Sequence, residues 1–132
     1  MTSKLLIVSN NPLVWNSSEL PCLRVEGSAL AVLYACLGFL GEEKGILFAH
    51  PMAGNARLIH NPFRTVVLQE KEKPSPDEIA SGIGILEYFI RKMEDLGGAA
   101  PEPTHGDYGV VDHGLFLAML PADACVAAPV RH

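Results

Sequence analysis

"ILFAHPMAGNARLIHNPFRTVVL" spans residues 46–68, and the way its two apolar runs are placed in a sheet decides the fold. Ile46-Leu47-Phe48-Ala49 and Val66-Val67-Leu68 are short apolar runs, and they read as the third and fourth strands. Between them lies a polar loop punctuated by proline. It carries His50, Asn55, Arg57, His60, Asn61 and Arg64 and no carboxylate. So many donors together, in a chain of formal charge −5, mark a candidate site.

Upstream, Leu5 to Val8 is another short apolar run that stops at Asn10-Asn11-Pro12. Asn11 can cap a brief helix with Pro12 at its first position, where a missing amide is harmless. Cys22 to Glu26 alternates and reads as a strand nearer a sheet edge. Gly27 turns the chain, and Ser28 caps a helix through Leu40 that is apolar all round and so largely buried. Gly45 sits where a left-handed terminating residue is wanted.

Downstream, residues 69–78 form a charged, solvated connector in which Ser75, Pro76 and Glu78 spell a helix start with a capping box. Ile79, Ile83, Leu86, Ile90 and Met93 then recur at helical spacing until Gly97-Gly98. Residues 98–106 read as a linker to a last helix whose stripe is Tyr108, Val111, Leu115 and Met119. That helix can pack back on its own sheet or serve a homodimer. Asp112-His113 on it reads as a solvated pair. One domain over 1–121 is expected, with 122–132 as a loose tail.

Alternating strands and helices predict an α/β domain of three layers. Its sheet is expected to be mainly parallel and roughly four-stranded, flanked by helices in a Rossmann-like or flavodoxin-like manner, in the order second, first, third, fourth. In such sheets ligands bind beyond the carboxyl ends of the strands. Ser9, Asn10 and Asn11 follow the first strand, and His50 to Asn61 follow the third, so both sets should line one crevice. Its character would be anion-receiving: Arg57 and Arg64 offer forked donors, and Asn10, Asn11, Asn55 and Asn61 offer amides. Asparagine beside proline is equally an ordinary turn or cap residue, and loop arginines are often only solvated. His50, directly after a strand, fits either general acid–base work or the tying down of its loop.

Composition excludes much else. A hydrophobic content of 48% fits a globule, and the acidic balance disfavours nucleic acid. The apolar stretch 28–41 falls short of the roughly 20 residues of a bilayer span, so no membrane role is expected. Cys22, Cys36 and Cys125 are odd in number and far apart, which suits a reducing cytoplasm; no targeting segment is evident. The five histidines and the cysteines lack metal-ligand spacing, and no phosphate-cradling glycine loop or G-x-S-x-G occurs, so no metal or cofactor is expected.

"LLIVSNNPLV", "VEGSALAVL" and the quoted stretch resemble the GrdX family, with "DYGVVDHGLFLAML" similar to its closing segment. The resemblance implies an accessory role beside the components of glycine, sarcosine and betaine reductases in amino-acid-fermenting bacteria, and it implies no reaction. The matching positions are Asn10, Asn11, Pro12, Gly27, His50, Pro51, Gly54, Asn55, Asn61, Pro62 and Arg64; Phe63 stands where the family has tyrosine. Three functions follow as expectations. The first is an accessory protein holding a small anion or an acidic partner segment. The second is a small enzyme on a phosphorylated or carboxylated metabolite, with His50 as acid–base, Arg64 as clamp and Asp107 or Asp112 folding over from the last helix. The third is a structural dimerisation module.

Overall fold

The computed structural model describes residues 4–17, 19–49, 62–96 and 105–119. Along them run β1 (Lys4–Ser9), α1 (Pro12–Ser17), β2 (Cys22–Arg24), α2 (Ala29–Gly41), β3 (Gly45–Ala49), β4 (Thr65–Glu70), α3 (Pro76–Leu96) and α4 (His105–Met119). The strands form one four-stranded sheet in the order β2-β1-β4-β3. β1 runs parallel to β2, while β4 runs antiparallel to both β1 and β3.

The sheet is therefore mixed and mostly antiparallel, which corrects the expected mainly parallel sheet and the Rossmann-like or flavodoxin-like order built on it. The physical reason is where the chain turns. It leaves β3 after Ala49 and enters β4 at Thr65 at the same end of the sheet, so β4 has to run back. β4 also takes the central place expected for β3. Val66, Val67 and Leu68 are wholly buried, as befits a strand covered on both faces, whereas β3 at the edge leaves Phe48 exposed.

Strand alternation sorts the side chains into two cores. Leu6, Val8, Val66 and Leu68 face α2 and α3, where Val32, Leu33, Cys36, Leu40, Leu86, Phe89 and Met93 close over them. Leu5, Ile7 and Val67 face the other way, onto Val14 of α1 and Phe116 of α4. Helices thus cover both faces, and the three-layer expectation holds.

Local chemistry explains the boundaries. The Ser28 hydroxyl accepts from the Ala31 amide at 3.1 Å and starts α2. At α3 the capping box closes both ways: Glu78 N–H donates to Ser75 Oγ at 3.1 Å and Ser75 N–H donates to Glu78 Oε1 at 3.2 Å. Gly45 is not the left-handed residue expected of it. Glu43 holds that conformation (φ 60°), and Gly45 already belongs to β3. It is glycine because the Gln69 carbonyl lies where a Cβ would go, with Phe39 Cε2 only 2.8 Å from the same point.

The last helix packs back on its own chain, against β4 and α1. Gly109, Asp112 and Phe116 face inward, whereas Val110 (63% exposed), Val111 and Leu117 face outward. The tail 122–132 and the linker over 98–104 lie outside the described residues.

Candidate functional site

On the α1/α4 face of the sheet, residues alternate Leu5, Ile7, Ser9 along β1 and Thr65, Val67 along β4. Ser9 pairs across the ladder with Thr65, so the apolar face ends in two hydroxyls at one end of the sheet. α4 lays Asp112 against that pair. Only 2% of Asp112 is exposed, which corrects the reading of Asp112-His113 as a solvated pair. The buried carboxylate lies one residue beyond Val111 of the apolar stripe. His113 is half-buried and meets the Ser17 hydroxyl at 2.9 Å.

The hydroxyls form a directed chain. Thr65 Oγ1 donates to Asp112 Oδ2 at 2.7 Å. Its one proton being used, the 2.8 Å contact between Ser9 Oγ and Thr65 Oγ1 takes its proton from Ser9. Ser9 Oγ in turn accepts the Asn11 amide at 3.0 Å. Asn11 closes the circuit: its Nδ2 donates to Asp112 Oδ2 at 3.0 Å and to the Gly109 carbonyl at 2.9 Å, while its Oδ1 accepts from Leu13 N–H at 3.1 Å and so caps α1. That bond occupies the Leu13 amide at the start of the helix. Hydrogen bonds in series polarise one another, and all of these converge on one carboxylate.

Asn10 does for the loops what Asn11 does for the helices. Its Nδ2 donates to the carbonyls of Gly27 and Pro62, both at 2.9 Å, and its Oδ1 accepts from Arg64 N–H at 2.8 Å. One side chain thereby ties the end of β1 to the turn before α2 and to the segment entering β4. Each side-chain nitrogen and oxygen of both asparagines has a partner within the chain.

Arg64 lies two residues before Val66 and shares its face, on the opposite side of the sheet from Asp112. Its side chain is 4% exposed, with Nη2 4.0 Å from Met93 Sδ of α3. Burial lowers the Arg64 pKa from its ordinary value, and the Asp112 charge acts in opposition. Burial likewise raises the Asp112 pKa, more than the donors Asn11 and Thr65 and the Arg64 cation pull it down. The rim of the sheet thus holds a carboxylate and a guanidinium, one on each face, both out of water.

Of the residues nominated from sequence, the fold brings Ser9, Asn10, Asn11 and Arg64 together. His50, Asn55, Arg57 and Asn61 lie outside the described residues, as does the side chain of Asp107. The carboxyl ends of β1 and β3 do share one end of the sheet, separated by β4 rather than adjacent. Thr65 was not legible in the sequence, and Asp112 was read there as one of a solvated pair or as folding over from the last helix. The signal was present in the spacing of Gly109, Asp112 and Phe116, which marks a helix face with a small residue where Phe63 and Asn11 approach it. Among the described residues no cluster of His, Cys, Asp or Glu could hold a metal ion.

No curated protein and no solved structure matches the chain. The family model described as "GrdX-like protein" matches residues 6–121, from β1 through α4 and with it every residue of this hydrogen-bonded rim. The chain therefore belongs to the GrdX-like protein family.

Proposed function

We propose that this protein is an accessory member of the glycine, sarcosine and betaine reductase system, and that it receives a small anion or an acidic partner segment at the rim where β1 and β3 end. Family membership supports the accessory role. The observation that carries the site is the placement of the residues flanking the donor-rich stretch. Ala49 and Pro62, which flank the sequence bearing His50, Asn55, Arg57 and Asn61, lie at this end of the sheet, and Asn10 holds the Pro62 carbonyl. A segment with cationic forks and amides but no carboxylate suits carboxylate or phosphate groups.

Thermal denaturation with glycine, sarcosine, betaine, acetyl phosphate and inorganic phosphate tests this. A ligand at about a hundredfold over its Kd stabilises by about 2.7 kcal/mol, an easily read rise in midpoint. Arg57→Ala should abolish the rise while leaving the ligand-free midpoint in place. No response to any of these compounds overturns the ligand assignment.

Asp112 favours a second reading. A buried carboxylate held above its ordinary pKa and hydrogen-bonded to two hydroxyls in series is equipped for general acid–base work on a phosphorylated or carboxylated metabolite, with His50 as the other proton-transfer group. Turnover that is lost in both His50→Ala and Asp112→Asn, with folding intact, would establish it. Rates unchanged by both substitutions would remove it.

A further inference from the structure

At the opposite end of the sheet from the polar rim, a cleft of about 370 Å³ opens between β3 and the first turns of α3. Ile46, Leu47 and Ile85 give it apolar walls; Asp77, Glu78 and Ser81 give it a polar lip; Gly82 forms its floor. An added Cβ on Gly82 would lie 3.2 Å from Leu47 Cβ, so glycine is what lets the helix and strand approach beneath the groove. β3 is the sheet's outer strand, laddered to β4 on one side only among the described residues. The cleft is lined by two consecutive residues of this outer strand, Ile46 and Leu47.

We propose that this cleft is a docking groove for an extended, basic segment of a partner protein, which adds beside β3 as a fifth strand with α3 as the groove's other wall. An open strand edge facing a helix is the geometry in which main-chain hydrogen bonds supply affinity and alternate side chains supply choice. Charge selects the occupant. Among the described residues the lining carries two carboxylates and no cation. Glu78 is shared with Lys71 at 3.2 Å, so Asp77 is the carboxylate left to meet a partner's lysine or arginine. Two copies of this chain edge to edge would instead bring the same carboxylates together, in a protein of formal charge −5. The ladder irregularity between Leu47 and Ala49 confines regular pairing to Gly45–Leu47, so the groove grips a short segment.

The test is ¹⁵N-detected titration of the full chain with a peptide of alternating valine and lysine. It is run beside a valine–glutamate peptide and a valine–lysine peptide carrying a central proline. The first should shift the amides of Gly45–Leu47 and of residues 77–85, and the other two should bind at least about tenfold more weakly. Asp77→Lys should weaken the first peptide by a similar factor; because Asp77 lies in the first turn of α3, the substitution also lowers the thermal midpoint somewhat, and binding is read well below that midpoint. Shifts that avoid β3, equal binding of the glutamate or proline peptide, or indifference to Asp77→Lys would each overturn the proposal.

Discussion

Asn11 is the residue through which α1 and α4 are joined at the polar rim. It caps α1, holds α4 through the Gly109 carbonyl and donates to Asp112. Asn11→Asp keeps its shape but puts an acceptor where Nδ2 donates in two of those bonds. The acceptors at Gly109 and Asp112 would lose their donor, and two carboxylates would share a buried site. Like charges raise both pKa values, so the penalty is least in acid and grows as pH rises through the pair's titration. We expect a loss of about 3 kcal/mol or more at pH 7, shrinking towards pH 4, read by urea denaturation across that range. Gly45 makes a steric argument of the same size. Gly45→Ala would press a methyl onto the Gln69 carbonyl and Phe39, where strand backbone has no room to yield, and should cost about 1–3 kcal/mol.

The elements show which packing contacts matter and how far a pattern reaches. α4 is held by Phe116, 1% exposed, and by its polar contacts to Asn11 and Thr65, while Val111 of its stripe is exposed. Phe116→Ala should therefore cost about 3–5 kcal/mol, whereas Val111→Ala should stay within about 0.5 kcal/mol. Equal effects would show that the helix is seated differently.

The same helix explains what was legible. Caps at Ser28 and Ser75 and the buried α2 could be read directly, because capping and all-round apolarity are local signals. Strand order could not. Ile46 to Ala49 and Val66 to Leu68 are both continuous apolar runs, and nothing in either ranks one as central. Ser9, Asn10, Asn11 and Arg64 were legible as a group because strand ends gather polar residues. Asp112 was hidden because a carboxylate becomes a buried acceptor only once Asn11 and Thr65 are brought to it from distant parts of the chain.

At the scale of the whole molecule, one end of the sheet stores a buried carboxylate on one face and a buried guanidinium on the other, and pH should reveal which effect governs them. The Asp112 pKa is raised from 3.8, with burial the largest cause, so the attraction of Arg64 and the donors Asn11 and Thr65 together do not repay the loss of water. The neutral carboxyl is then the form the fold prefers. Its stabilising contribution is complete below the unfolded value and is lost as pH rises through the folded one. Asp112→Asn mimics that neutral form, since its Oδ1 can still accept from Thr65 and Asn11. It should be as stable as the parent at pH 7 or somewhat more so, and the two should converge as pH falls towards 4. Asp112→Ala removes the acceptor altogether and should fall below both by about 1–3 kcal/mol. Chemical denaturation of the three proteins at pH 4, 5.5 and 7 decides the matter. An Asp112→Asn protein markedly weaker than the parent at pH 7 would mean that attraction to Arg64 outweighs desolvation, and that this end of the sheet is held by charge rather than in spite of it.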